Sequence, residues 1–344
     1  MVSPEVASHR PPSALGAVIR RRVPALVGLL VLLLGLTGVL WQAFSAGFGS
    51  SGNVPTFVLV TLNGLSLAGL YFITASGFTL IFGLMRITNL AHGALFLLGG
   101  YLALELVGAG LPWVLAALVA MVLTGLAGLI MYELFLRWNQ GQDLRQALVT
   151  IAVSLIVGDQ LLARFGGAPQ TLNPPAFLAQ PMGLGVYNLA YPRFRVAVIV
   201  VAVALALLFW LVIKGTRAGR IMRAGVDDTV MTSALGVNIQ LVFAVAFFIG
   251  SALAGLGGVY GGSMLSLAPG QDQAFLISSL IVVIVGGMGS LRGAVLGALL
   301  LGLVEQYGSA YLPTAYANLS ILLTFVLLAL VLAVRPTGLF GSAR

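Results

Sequence analysis

The chain has 344 residues, of which 60% are hydrophobic and only 8% charged, with a mean hydropathy of +1.08. A soluble domain carries about 25% charged residues, so polar groups cannot cover this chain and lipid must cover much of it. The absence of cysteine excludes disulfides and Cys-based metal or nucleophile chemistry. The formal net charge of +8 does not point to nucleic acid, because the basic residues are scattered at the ends of apolar segments, the distribution of membrane orientation. No catalytic residue and no metal site are expected.

Taken in chain order, Arg20, Arg21 and Arg22 precede an apolar run from Val23 to about Phe44. A run of about 20 residues suits a span better than a signal-peptide core of about 7–15. The sequence from Trp41 to Ala46 offers only a weak cleavage site, so residues 1–52 read as a tail plus a retained extra helix. Apolar runs bounded by Pro, Gly and charge give ten expected spans, near 23–46, 54–84, 92–108, 112–136, 146–164, 195–213, 240–262, 274–288, 293–312 and 317–334. The second is too long for a straight span of about 20 residues, and a break is expected near Gly64–Gly69 or Gly77. The eighth is too short to cross alone and ends in Val285-Gly-Gly-Met-Gly-Ser290. Non-helical backbone at membrane depth is tolerated only when buried in protein or lining a cavity, so both defects point toward a pathway.

Threading these spans with the N-terminus inside leaves only Arg164, Arg193 and Arg195 of the 17 basic residues outside. The positive-inside rule then favours cytoplasmic N and C termini. The external loop 165–194 is rich in Pro and nearly uncharged, suited to close over the outer mouth or to meet a partner.

Four segments concentrate polar or small residues. The first runs from Gly77 to Gly93, where Thr88, Asn89 and His92 can satisfy backbone groups freed as one helix ends and the next begins. The break is either a capped turn or a border of the substrate route. Glu105, Glu133, Asp159 and Glu305 are ionisable residues within spans, which usually face the bundle interior or a cavity; structural pairing is favoured over substrate contact for each.

The second segment is the inner loop 214–238. Asp227 or Asp228 suits a helix N-cap and Gly236 the C′ position. Between them Val230, Met231, Ala234 and Leu235 share one helical face. An apolar stripe held outside the bilayer needs a surface to bury it, either on its own chain or on a cytoplasmic partner. The third segment, Gly250–Gly262, has Gly257-xxx-Gly261 and Gly258-xxx-Gly262 spacings that allow close helix contact. The fourth, Val285–Ala294, resembles the first: His92-Gly93-Ala94 and Arg292-Gly293-Ala294 are each followed eleven residues later by Glu105 and Glu305. This pattern suggests an internal repeat, as many transporters have.

Together these segments resemble the permease subunits of bacterial ABC importers for branched-chain amino acids, from about Asn63 to Gly341. The carriers are Gly77…Gly83…Asn89-Leu-Ala-His92-Gly93…Gly100-Tyr101, then Thr216-Arg217-Ala-Gly219-Arg-Ile-Met-Arg223-Ala224…Asp228…Ala234-Leu-Gly236-Val237. Gly286-Gly-Met-Gly-Ser290…Gly293…Gly297 and Arg335-Pro-Thr-Gly-Leu-Phe-Gly341 complete the match, which is nearest to the leucine/isoleucine/valine H-type subunit. The chain departs from the family pattern at Ala94, often acidic there, and in its N-terminal extension.

The resemblance implies an all-α polytopic membrane protein of about ten helices, with broken helices and a cytoplasmic coupling helix. The permease core would span 53–341, with the coupling loop at 214–238. It implies a multi-pass protein of the bacterial inner membrane that imports branched-chain, hydrophobic neutral amino acids. Its partners would be a second homologous permease, two cytoplasmic ABC ATPase subunits and an external substrate-binding protein. No cofactor is expected on this chain, which lacks a Gly-x-x-x-x-Gly-Lys-Ser/Thr phosphate loop; ATP would be hydrolysed by the partners. The expected pathway residues are Thr88, Asn89, His92, Gly93, Gly286, Gly287 and Gly289. The expected ATPase-coupling residues are Arg217, Gly219, Arg223, Ala224, Asp228, Met231, Leu235 and Gly236. A urea or short-amide importer is the near alternative. A proton-coupled secondary transporter using Glu105, Asp159 and Glu305 is the alternative from another class, and a channel or scaffold without coupled transport is a third. The discriminating feature is the 214–238 loop, because a secondary transporter has no use for an exposed apolar docking helix.

Overall fold

The computed structural model describes residues 38, 41, 45, 54–185, 189–227, 229–312 and 320–341. The tail and most of the expected first span at 23–46 lie outside the described residues, as does Asp228. The described helices are α1 (Val54–Met85), α2 (His92–Gly108), α3 (Trp113–Met131), α4 (Asp143–Phe165), α5 (Ala176–Ala179), α6 (Arg193–Gly215), α7 (Arg217–Asp227), α8 (Thr229–Ala234), α9 (Ile239–Met264), α10 (Gln271–Gly286), α11 (Leu291–Tyr311) and α12 (Ser320–Val334). A π turn (Tyr132–Leu136) and a 3-10 turn (Arg137–Asn139) extend α3. Among the described residues six helices are long and apolar enough to cross a membrane: α1, α3 with its extension, α4, α6, α9 and α11. The apolar α2, α10 and α12 are shorter.

The expected break inside the second span does not occur, because α1 is one helix of 32 residues. Its hydroxyls are satisfied locally: Thr61, Thr74 and Thr79 donate to the carbonyls of Phe57, Leu70 and Ala75 four residues back, and Ser66 and Ser76 to those of Asn63 and Ile73. Such back-bonding hides polar side chains without interrupting the helix. The glycines serve a different purpose. A side chain at Gly64 would meet Leu303, one at Gly69 would meet Ala202 and Val198, and one at Gly77 would strike the Gly250 carbonyl. They are contact points for α11, α6 and α9. Hydrophobicity gives no drive for helices to associate in lipid, so close packing through small residues replaces it.

The centre of the protein is the antiparallel crossing of α1 and α9 at Gly77 and Gly250, where each glycine faces the other's carbonyl. Thr74 lies against Gly257 and Ile81 against Gly250, which fixes the antiparallel sense. α3 packs along α9 through Gly125 and Gly128, and α11 packs along α1 through Gly302. α4 and α6 stand at the edge and are mostly exposed.

The segment after α6 departs from the single capped helix expected there. Thr216 accepts from the Gly219 N–H and starts α7, and Asp227 ends α7 instead of opening a helix. The short α8 follows and terminates as expected: Gly236 has φ +86°, its N–H donates to Ser233, and the Val237 N–H reaches back to Thr232. This is the left-handed stop that favours glycine.

The loop 165–194 folds over one end of the bundle. It carries a two-stranded hairpin, β1 (Pro181–Gly183) and β2 (Ala190–Pro192), with Met182 opposite Tyr191. The Gln170 and Leu267 backbones bond to each other, and the Leu172 N–H donates to the Gly262 carbonyl. Arg195 donates to Asn63 Oδ1 at 2.6 Å, and burial raises the pKa of the Tyr191 phenol above its ordinary value.

Candidate functional site

The chain after α1 turns back upon itself. Arg86 adopts φ +54° and residues 86–91 run beside α1, so that His92, the first residue of α2, lies level with Thr74. α2 therefore starts roughly 16 Å back along α1 from its end, at 1.5 Å per residue. Here is the helix break, between two helices and not within one. His92 is fully buried; Nε2 lies 2.9 Å from the Thr74 carbonyl, and the ring meets Phe78 edge-on at 5.3 Å between centroids. Asn89 Oδ1 accepts from the Ala91 N–H, and the Leu90 N–H donates to Thr150 of α4. Thr88 is half-buried beside them. Of the polar residues of this turn, Asn89 satisfies a freed backbone group, whereas His92 reaches a carbonyl within α1. Asn89 Nδ2 and His92 Nδ1 are buried without a partner among the described residues.

Gly93 faces the Asp272 carbonyl at the start of α10, while Gly286 and Gly287 end that helix. Gly93 is therefore not brought together with Gly286 and Gly287. They sit at opposite ends of α10, separated by roughly 21 Å of helix. Gly286 packs on Gly293, and Gly287 and Gly289 adopt φ +102° and +79° in the turn before α11. Ser290 then caps α11 by accepting from the Gly293 N–H.

Two cavities adjoin these turns. One of about 310 Å³ is lined by Thr79, Leu80, Gly83 and Leu84 of α1, Phe209 and Ile213 of α6, Met222 and Arg223 of α7, and Gly289 and Leu291. It lies between α1, α6 and α7 beside the turn before α11. Arg223 donates to the Ile213 carbonyl, and buried Gly219 sits under the last carbonyls of α6, so this end of α7 is tied to α6. Arg217 and Ala224 are exposed, and so are Met231 on α8 and Leu235 just after it.

The second cavity, about 180 Å³, is a cleft between α2, α4 and the start of α10. Leu97, Leu155, Leu161 and Leu162 give it apolar walls, and Tyr101, Ser154, Asp159, Asp272 and Gln273 give it polar ones. It opens one to two helical turns along α2 from Gly93. The other acidic residues within spans are paired: Glu105 with Arg164 at 2.9 Å, Glu133 with Arg137 at 2.7 Å, and Glu305 with the Tyr71 hydroxyl at 2.6 Å. Asp272 was not among the expected ionisable span residues. Its signal was present: an acid in the first turn of a short apolar helix.

Such a bundle of long apolar helices, with a helix that starts part-way along its neighbour and glycines at its central crossings, is that of a multi-pass membrane protein. The family described as the branched-chain amino acid transport system permease component matches residues 60–332. LivH of Escherichia coli K12, a high-affinity branched-chain amino acid transport system permease protein, is 31% identical over 297 residues, which is 83% of this chain and 96% of LivH. BraD of Pseudomonas aeruginosa, of the same description, is 30% identical over 81% of this chain and 94% of its own. A probable LivH of Methanocaldococcus jannaschii is 24% identical over 80% of this chain and 89% of its own. The chain belongs to the branched-chain amino acid transport system permease family, and its role is that of the membrane-spanning permease of an ABC importer.

Proposed function

We propose that the chain carries branched-chain amino acids inward across a bacterial inner membrane, paired with a second permease, driven by two ATPase subunits and fed by an external binding protein. Both termini and the α7–α8 segment face the cytoplasm. What supports this most is the α8 segment, where exposed Met231 and Leu235, the residue just after the helix, lie outside any candidate span and follow the exposed Arg217, Arg220 and Arg223 of α7. An apolar face there is suited to a groove on the ATPase. The cargo route runs past the Thr88–Gly93 turn and along the cleft above it, whose leucines suit an aliphatic side chain and whose polar groups suit an ammonium and a carboxylate. Selectivity resides mainly in the external binding protein, so this chain need not hold cargo tightly.

Replacing Met231 and Leu235 by Asp leaves membrane insertion intact and abolishes recovery of the ATPase with the tagged permease. Charge there would be desolvated on docking, which costs several kcal/mol unless it is paired. Normal recovery of the ATPase with the double variant would refute the docking assignment. Orientation has its own test, since the chain contains no cysteine. Exposed Arg220, changed to Cys, is labelled by an impermeant maleimide only from the cytoplasmic side, and exposed Ala179 only from outside. Gly225 would be a poor probe because it is buried near Ile239. Reversed accessibility at either position would overturn the proposed topology.

A further inference from the structure

The C-terminal segment from Arg335 to Gly341 returns to the bundle and grips the end of α10. The Leu339 and Phe340 N–H groups donate to the Val285 and Gly286 carbonyls, both at 2.9 Å. These are among the last carbonyls of α10, which a helix end leaves without intrahelical partners. Glycine is required on both sides of the contact. A side chain at Gly287 would strike the backbone of Gly341, and one at Gly338 would strike Ile284 and Gly287. Gly338 also has φ +81°. Arg335 donates to the Leu339 carbonyl and closes the segment into a compact strap.

The strap and the turn it holds present two large apolar side chains, Met288 at 59% exposure and Phe340 at 49%. Arg292 is exposed in the first turn of α11, and Arg335 at the start of the strap. Arg223 and Leu84, the latter two residues before Arg86, share the 310 Å³ cavity with Gly289 and Leu291. None of Arg86, Arg223, Arg292 and Arg335 makes an ion pair among the described residues. Basic residues on the turn, on the strap and on the α7 side of the cavity thus accompany two exposed apolar side chains, and the cavity joins the turn to α7. Buried aromatic and aliphatic anchors inside a polar rim are the usual anatomy of a protein interface.

We infer that the 335–341 strap and the Gly287–Ser290 turn form a second docking surface for the ATPase subunit, beside α7–α8, for a partner face with an apolar pocket and an acidic rim. The inference rests on the orientation and the partner proposed above. The turn so gripped is one end of α10, and the other end of α10 meets Gly93. The strap surface is therefore joined by a single helix to the break beside the proposed route.

The test uses Met288→Cys, Phe340→Cys and Leu235→Cys as single variants in membranes, with the ATPase subunits co-expressed or omitted. All three positions are exposed, so folded variants are expected, and the labelling rate with a small maleimide is read directly. Assembly with the ATPase is expected to slow labelling at least tenfold at all three. Protection at Leu235 without protection at Met288 and Phe340 would overturn the second surface and leave the permease reading standing. Slow labelling at Met288 and Phe340 in ATPase-free membranes that becomes fast in detergent would assign the surface to the bilayer instead and refute the inference. Labelling of all three from the external side only would bring down the orientation and the inference with it. As a second measurement, Phe340→Asp is expected to reduce ATPase recovery at least tenfold with unchanged permease yield. Full recovery would contradict the proposal.

Discussion

Gly258→Leu is expected to remove folded permease from the membrane almost entirely. Gly258 lies on α9 with its Cα hydrogens directed at the Phe96 carbonyl and the Gly100 amide of α2, so even a methyl group would strike backbone. Backbone atoms of a packed helix cannot rotate aside as a flexible side chain can, so the helices must part. Gly99 and Gly255 form the neighbouring contact in the same crossing, also backbone on backbone. Overpacking a core by single methylenes typically costs about 1–3 kcal/mol, and here a whole isobutyl group must be placed. In lipid, lost interhelical packing is not made good by hydrophobic burial elsewhere. The measurement is the monodisperse fraction after detergent extraction, with Gly108→Leu as the control, since nothing lies within 4 Å of a side chain at Gly108. Wild-type yield of the Gly258 variant would show that the α2–α9 contact is not as close as described here.

That contact shows how much of the molecule was legible beforehand. The spans were readable because each is a run of apolar residues with polar or glycine ends, and helices α1 to α4, α6 and α9 to α12 fall where those runs lie. The break was placed wrongly, inside α1, because a glycine in a sequence looks the same whether it kinks a helix or admits another backbone. Gly64, Gly69 and Gly77 turn out to do the second. The Thr88–His92 turn was readable because polar residues between two spans must have backbone to satisfy. What could not be read was distant partnership: Gly93 against Asp272, or the strap against Gly286 and Gly287. The strap binds through main-chain N–H and C=O groups, which leave no periodic signature in side chains. Likewise the helix α7 that Thr216 caps carries no apolar run that would mark it, so only the short helix after it, between Asp227 or Asp228 and Gly236, is legible in the sequence.

Gly158→Leu is expected to lower uptake of branched-chain amino acids at least tenfold while leaving folded permease and ATPase recovery unchanged. Gly158 lines the 180 Å³ cleft from α4, and the only atom a side chain there would approach is the Asp272 carboxylate, at 4.0 Å. A leucine therefore enters open space in the cleft. It also replaces glycine inside a helix, which favours the helix by about 1 kcal/mol. Steric loss of transport is then separable from loss of fold, which is not true of substitutions in the turn itself. Gly93→Leu would drive a side chain into the Asp272 backbone, so its failure to transport would say only that α2 and α10 had come apart. The two variants should diverge: Gly93→Leu is lost from the membrane fraction, and Gly158→Leu is present but inactive. Gly158→Ala, smaller by three carbons, should retain most of the uptake if bulk is what matters. Proteoliposomes loaded with ATP, carrying the assembled importer and supplied with the external binding protein and labelled leucine, give the readout. Uptake at the wild-type rate by folded Gly158→Leu would mean that cargo does not pass along the α2–α4 cleft.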